Sequence, residues 1–400
     1  MNSAYIYDAV RTPRGKARAD GGLHDLTPYD LLSTLYQALE QRTQLDRNDI
    51  GDVILGCATQ SGEQAANIAK TSTLYANWPR HIPGITINRY CSSGIDAINF
   101  AAMKVMTGMN DLVFAGGVEM MSRVPMMSDN AAPFLDLKLA SKMGIYMMGS
   151  GADLIATRWG VTREQADAIA LASQQKAAHA TDHGYFKSII PITNAIKGIT
   201  VKHDEIIRPQ TTMEALARMT PSFADLGSKG VNAAFLADFP ELKEIVHVHT
   251  PGNSPAMADG ASVLLVGSKK AGEKLGVKPR AKISGMVNVN DDTRTVISGC
   301  VSATGELMKR EGLSAKDVDL FEIHEAFAAT MIKCQRELNI DDSKLNVNGG
   351  CIALGHPLGA TGAIMTGTLL DELERRDLKR GIVAASGAAG AGTALMIERL

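Results

Sequence analysis

Leu45-x-x-x-Asp49-Ile50-x-x-Val53-x-Leu55, in the first half of the chain, returns in the second as Leu313-x-x-x-Asp317-Val318-x-x-Phe321-x-Ile323. Roughly 270 residues separate the copies, and nearly the same spacing recurs further along. Ile85-Thr86-Ile87-Asn88 leads into Cys91-Ser92-Ser93-Gly94, as Leu345-Asn346-Val347-Asn348 leads into His356-Pro357-Leu358-Gly359. Leu112-Val113-Phe114-Ala115-Gly116-Gly117 then faces Ile382-Val383-Ala384-Ala385-Ser386-Gly387. Three matches in one order read as a tandem duplication, one structural unit built twice.

Each half alternates short β-branched runs with longer stretches of helical spacing. That pattern predicts an α/β fold in which a mostly parallel sheet is covered by helices. Asp96 to Met106 has apolar residues at helical spacing, with Gly108 as a stop, and the matching helix runs through Ala363–Leu370. Cys91 and His356 therefore each fall near a strand-to-helix junction, one per half. Residues 122–250 have no counterpart in the second half and carry Met- and Pro-rich stretches and an amphipathic helix from Arg163 to about Ala180. A segment of that length without a partner predicts a domain inserted into the first half. The expected division is 1–121 with 251–270 as the N-terminal half, 122–250 as the inserted loop domain, and 271–400 as the C-terminal half.

Composition narrows the class of function. The 400 residues are 45% apolar and 21% charged, ordinary for globular proteins, and a net charge of −2 offers no basic field for nucleic acid. No run approaches the roughly 20 apolar residues of a membrane span. The first residues lack the basic start and apolar core of a secretory signal, and the chain ends Glu398-Arg399-Leu400, unlike the Ser-Lys-Leu peroxisomal address, so cytoplasm is the expected location. Cysteines at 57, 91, 300, 334 and 351 form no Cys-x-x-Cys pair, which predicts neither a disulfide framework nor a zinc site.

Cys91 precedes a helix start, where unpaired N–H groups and the positive dipole end favour thiolate over thiol. His356 opens the equivalent segment of the second half, so a two-fold-like arrangement would bring it to Cys91 as an activating base. His324-Glu325-Ala326-Phe327 begins like a zinc-binding His-Glu-x-x-His, but Ala328 stands where the second histidine belongs. His324 instead follows the strand-like Leu320–Ile323, at a strand end where it can help hold an oxyanion, directly or through water. The run from Ser386 to Gly392 lacks the Gly-x-Gly-x-x-Gly spacing of a dinucleotide fold and reads as a tight turn between strands, or as backbone N–H groups beside Cys91.

Taken together, these segments resemble the thiolase family over essentially the whole chain. Asp8-Ala9-Val10-Arg11-Thr12-Pro13 is similar to the family's opening strand, Asn88 to Gly94 to its nucleophile segment, and Ala115 to Ser122 to the strand that follows. The run from Asn346 to Gly362 is the most specific match. The resemblance implies a duplicated five-layered α-β-α-β-α fold with mixed, mostly parallel sheets and an inserted loop domain, assembled as a homodimer or homotetramer. It implies an acyl-CoA:acetyl-CoA C-acyltransferase that cleaves 3-ketoacyl-CoA with CoA, or runs the reverse Claisen condensation, through an acyl-Cys91 intermediate. In that scheme His356 deprotonates Cys91 and His324 positions a water in an oxyanion hole. Coenzyme A is the co-substrate, with no metal and no permanently bound cofactor. Arg208 is implied near the nucleotide end, Phe223 and Phe327 along the tunnel, Ser254 near the pantetheine, and Met148 in the acyl pocket.

Three positions depart from the family pattern. Ser386 stands where a second cysteine acts as acid and base, and a hydroxyl is a far weaker acid than a thiol. Either the position was substituted or Cys351, five residues before His356, supplies the thiol. Pro255 replaces the usual serine or threonine of the pantetheine loop. His324 stands where many members have asparagine, and His-Glu-Ala-Phe resembles forms associated with fatty-acid β-oxidation. The competing expectation is an acyl-CoA-binding protein impaired in carbon–carbon chemistry by Ser386 and Pro255. A carrier-protein-dependent ketosynthase on a related fold is a third, opposed by the combined cysteine, His-Glu-Ala-Phe and Gly-His-Pro set.

Overall fold

The computed structural model describes residues 2–400. The β-branched runs of the first half become β1 (Ala4–Arg11), β2 (Gly15–Lys16), β3 (Asp52–Gly56), β4 (Ile85–Ile87) and β5 (Leu112–Met120). A hairpin of β6 (Ile192–Asn194) and β7 (Ile199–Val201) follows, then β8 (Ala258–Gly267) and β9 (Ala281–Asn290). The second half supplies β10 (Leu320–Ile323), β11 (Arg380–Ser386) and β12 (Ala391–Arg399). All but the hairpin join one sheet, whose order β4-β3-β5-β8-β1 is mirrored by β9-β12-β11-β10, with β2 beside β8. The halves meet where Ala4–Ile6 pairs antiparallel with Ala281–Ile283.

Strand direction repeats as well. In the first half β1, β3, β4 and β5 share a direction and β8 runs against them; in the second, β9, β10 and β11 agree and β12 is reversed. The expected mixed sheet is thus present, with most strands of each half sharing a direction; neighbours pair parallel at β3–β4, β3–β5 and β10–β11, and antiparallel at the reversed strands, the edge strand β2 and the seam.

One expected strand is missing. Leu345, the counterpart of β4, makes only an isolated bridge to Phe321. Asn346 turns left-handed at φ +44°, and its side-chain amide both accepts from Ile323 N (2.8 Å) and donates to Ile323 O (2.8 Å). A side chain thereby supplies the hydrogen bonds a strand backbone would have made.

Helices complete five layers. On one outer face, α1 (Pro28–Thr43) and α2 (Ile68–Tyr75) bury Leu31, Leu35, Leu39 and Ile68 against Val53, Phe114 and Val263 of the sheet. α1 starts with a capping box between Thr27 and Asp30, with Pro28 in its first turn. The middle layer is α3 (Ser93–Met106) with the long helix Leu358–Arg375, packed between the inner faces of both halves through Ile95, Ile98, Leu369 and Leu373. The far layer pairs helices Gly299–Arg310 and Ala328–Leu338 over Phe321, Ile382 and Met396.

Residues between β5 and β8 contribute no strand to this sheet. They include α4 (Met148–Arg158) and α5 (Arg163–Asp182), the latter where the amphipathic pattern predicts a helix and capped by Thr162 and Gln165. Ala152, Ile155, Ala166 and Ala170 pack on Phe327, Ala329 and Ile352, which brings this segment onto the loops carrying His324 and His356. Nearby, Arg11 holds Asp204 with two buried hydrogen bonds of 2.7 and 2.9 Å, pinning the chain that leads to Arg208. Among the described residues no helix is long and apolar enough to cross a membrane.

Candidate active site

The turn bearing Cys91 is tightly specified. Asn88 accepts a hydrogen bond from Tyr90 N (2.8 Å), Ser93 Oγ accepts one from Arg89 N (2.8 Å), and Tyr90 sits left-handed at φ +52°. Cys91 is presented just before α3, half-buried in a pocket of about 80 Å³ shared with Asn88, Tyr90, Phe134, Met148 and Leu358. Met148 thus lines the same pocket as Cys91. Gly94, in the first turn of α3, packs so closely that a Cβ there would lie 2.8 Å from Gly359 O. Only glycine permits that approach, and it lays the start of the Leu358–Arg375 helix across the Cys91 turn.

His356 precedes that helix after a four-residue helix, Cys351–Leu354, and a left-handed Gly355 at φ +97°. Its N–H donates to Ala256 O (2.8 Å), and its Nδ1 pairs with Thr361 Oγ1 at 2.7 Å, leaving Nε2 to face the site. His324 leaves β10 as expected, its N–H donating to Ala384 O (2.9 Å), and its ring centroid is 4.3 Å from that of His356. Both rings are buried, and neither nitrogen of His324 makes a hydrogen bond of ordinary geometry, the Ser386 backbone being its one close hydrogen-bonding neighbour. Cys351 joins them: one ligating atom from each of His324, Cys351 and His356 lies within 4.8 Å of the other two.

Glu119 binds the two halves together at this point. Fully buried at the end of β5, its carboxylate accepts from Ala58 N (2.8 Å), Thr59 N (3.0 Å) and Gln64 Nε2 (2.9 Å) on the first half, and from Gly359 N (2.9 Å) on the second. Burial raises its pKa despite these donors. Sequence reasoning assigned Glu119 no role, although an acid inside the otherwise apolar strand Leu112–Met120 was a signal of a buried, paired carboxylate. Glu325 was passed over too. It accepts from Ser173 Oγ (2.8 Å) and Ile352 N (3.0 Å), tying α5 to both histidine loops.

The electrostatics correct one expectation. Burial, with a smaller contribution from Glu119, pushes the Cys91 thiol up to about 12, so the resting group is a thiol and the helix start does not make it a thiolate. Burial also lowers His324 to about 4 and holds His356 well below its ordinary value, helped by His324 and Arg14. A neutral imidazole keeps a nitrogen lone pair, so at rest the site combines an undissociated thiol with an unprotonated imidazole.

Ser386 ends β11 with its hydroxyl already engaged: it donates to Ile297 O (2.7 Å) and accepts from Cys300 N (2.9 Å) at the start of helix Gly299–Arg310. The turn after it joins β11 to β12 as expected, and a Cβ on Gly387 would fall 2.8 Å from Arg89 O, which puts this turn against the nucleophile segment. Phe223 and Phe327 meet edge to face at 5.9 Å, and the buried Ser254 hydroxyl has no partner. Arg208 stands apart from the Cys91 pocket, on a cavity of about 420 Å³ that it shares with Lys16, Arg18 and Met257. Met257 is bridged to His356, so this cavity adjoins the histidine side of the site.

Comparison with known proteins agrees with this fold. The family model described as thiolase, N-terminal domain matches residues 4–238, and that described as thiolase, C-terminal domain matches 277–399. A 3-ketoacyl-CoA thiolase of Colwellia psychrerythraea is 39% identical, and one of Bacillus subtilis 37% identical, each over 100% of both chains. Among solved structures, the Bacillus anthracis acetyl-CoA acetyltransferase superposes with a TM-score of 0.85 at 33% identity, covering 100% of this chain and 99% of its own. Human mitochondrial 3-ketoacyl-CoA thiolase gives 0.86 at 31% identity, with the same coverage. These likenesses favour catalysis over the alternative of acyl-CoA binding alone, and the chain belongs to the thiolase family, as an acyl-transferring enzyme.

Proposed function

We propose that this thiolase cleaves 3-ketoacyl-CoA with coenzyme A, yielding acetyl-CoA and a shortened acyl-CoA, with Cys91 as nucleophile and His356 as its base. The observation carrying the assignment is the crossing of Gly94 with Gly359, which sets a pocket-facing thiol beside a turn whose imidazole is neutral and has Nε2 free. His356 Nε2 takes the thiol proton as sulfur attacks the 3-keto carbon. The C2–C3 bond breaks, the acyl group stays on Cys91, and the acetyl-CoA enolate needs a proton at C2. Because the Ser386 proton is committed to Ile297 O, the group supplying it is the imidazolium just formed on His356. A second CoA thiol, deprotonated by the same imidazole, then releases the acyl group. The unpartnered nitrogens of His324 suit it to orient a water toward the developing oxyanion.

Coenzyme A lies across the segment 122–250 in this reading, the inserted loop domain of a molecule otherwise made of residues 1–121 with 251–270 and 271–400. The Phe223–Phe327 pair and the Ser254 hydroxyl suit the pantetheine arm, Met148 the acyl chain, and the cation cluster of Arg208, Lys16 and Arg18 the phosphates. No permanently bound cofactor enters the scheme. The enzyme works in the cytoplasm as a homodimer or homotetramer; exposed Ile85 on the β4 edge, with Leu74, Tyr75, Phe100 and Met103 exposed, supports assembly. A thiolysis assay across short, medium and branched 3-ketoacyl-CoA thioesters, with mass detection of the acylated peptide, tests the assignment. The acyl mass belongs on the peptide containing Cys91, and its appearance elsewhere, or no turnover of any thioester, rejects it.

A further inference from the structure

The trio of His324, Cys351 and His356 has a property the thiolase reaction does not use. It offers two imidazole nitrogens and one sulfur, all within 4.8 Å of one another, from side chains that are 2%, 1% and 7% exposed. Tetrahedral zinc bound through nitrogen and thiolate sulfur holds its ligand atoms about 3.3–3.8 Å apart, so closing the trio needs shifts of roughly 1 Å. His324 makes no hydrogen bond of ordinary geometry at either nitrogen, the Ser386 backbone being the one hydrogen-bonding group close enough to act on the ring, although polar atoms buried this deeply are ordinarily hydrogen-bonded. The His356 ring is held by Thr361, which pairs with Nδ1 at 2.7 Å and leaves Nε2 as the nitrogen open to a metal.

We propose that His324, Cys351 and His356 form a three-ligand site for a soft divalent cation of the zinc class, whose occupancy inhibits the enzyme. On binding, the Cys351 S–H bond breaks, the proton leaves to solvent, and a metal–sulfur bond forms, with neutral imidazoles completing three positions and a water the fourth; nothing is oxidised or reduced. The metal takes the Nε2 that His356 needs for proton transfer and the nitrogen that His324 offers to water. Binding stands on the geometry alone, whereas inhibition rests on the proposed roles of the two histidines.

Cobalt(II) added to the purified, reduced enzyme tests the site, because tetrahedral cobalt with a thiolate ligand shows an intense sulfur-to-metal charge-transfer band besides its d–d bands. The expected result is one equivalent of cobalt with that band, displaced by zinc, with thiolysis lost in step with occupancy and one thiol proton released per metal bound. Cys351→Ala removes the charge-transfer band and weakens zinc binding by about 100-fold or more, while Cys91→Ala keeps both. Absence of the band in the unaltered enzyme overturns the site whatever the variants do, and its loss in Cys91→Ala reassigns the sulfur and overturns it equally. Cobalt held with the thiolate band but without inhibition leaves the metal site standing and removes His356 from the reaction. Inhibition by zinc without the band overturns the site and places the inhibiting metal elsewhere.

Discussion

The turn bearing Cys91 and the turn bearing His356 occupy matching places in a repeated framework, yet they are built in opposite ways. In the first half, β4 runs almost directly into α3, and a left-handed Tyr90 presents a half-buried sulfur to the pocket. In the second, the strand is replaced by the Asn346 side chain, a short helix Cys351–Leu354 intervenes, and the imidazole ends up buried and neutral. Two equivalent positions face one seam; in the proposed reaction one of them supplies the nucleophile and the other the base. The extra residues between Asn348 and His356 let the second turn reach across to the first, and they carry Cys351 into the site with it.

If the two turns hold complementary roles, removing either should cost the most. Cys91→Ala is expected to lower thiolysis by about 10⁴-fold or more and to abolish the acyl-enzyme, since no other half-exposed cysteine stands in. His356→Ala should lower acylation by about 10³-fold while the protein still binds acyl-CoA. Because the two act as a unit, the double variant should be scarcely worse than the worse single one, and additive losses in single-turnover acylation would separate the turns.

Glu119 is the next way to strain the comparison, since its carboxylate is what ties the Ala58–Thr59 loop of one half to Gly359 of the other. Glu119→Gln puts an N–H donor where backbone donors already point. The expected result is a loss of about 1–3 kcal/mol in urea unfolding and a fall in kcat of about 10–100-fold with KM little changed. A variant as active as the original would mean the turns keep their register without this clamp.

Much of this was legible in the letters because it rests on periodicity. The repeated strands, the helices after Cys91 and His356, the capped helix from Arg163 and the turn after Ser386 all follow from apolar spacing and cap residues, which act locally. What was not legible depends on depth. The helix-start argument for a Cys91 thiolate counted nearby dipoles and missed the burial that outweighs them. The strand expected at Leu345 failed because Asn346 substitutes a side chain for a backbone ladder, which no apolar pattern records. Cys351 could be counted from His356 along the chain, but only the fold brings its sulfur up to His324 as well.

Ser386→Cys probes whether a third group shares the work of the two turns. The serine hydroxyl serves the start of helix Gly299–Arg310 through Cys300 N and Ile297 O, contacts a larger sulfur makes less well. Acetyl exchange should be unchanged, C–C cleavage should change by less than about tenfold, and stability should fall by about 1 kcal/mol. A cleavage rate raised by about 100-fold would instead show that proton delivery to carbon limits this enzyme and that His356 does not manage it alone.

The smallest expected effect concerns pH and the second half only. His324 has a folded pKa of about 4 against an ordinary 6.5, because burial disfavours its charged form. As pH falls below the ordinary value the unfolded chain takes up a proton that the folded chain refuses, so the fold loses stability progressively through that window and no further below the folded value. His356, lowered in the same direction, steepens the slope. His324→Asn removes one of the two contributions without a charge and with little change of volume. Urea midpoints measured across the window should therefore fall less steeply in the variant than in the original, while Cys91 acylation stays within about tenfold. An unchanged slope would mean that His324 titrates normally in the folded protein, and the neutral pairing of the two imidazoles, on which the division of labour between the turns depends, would have to be given up.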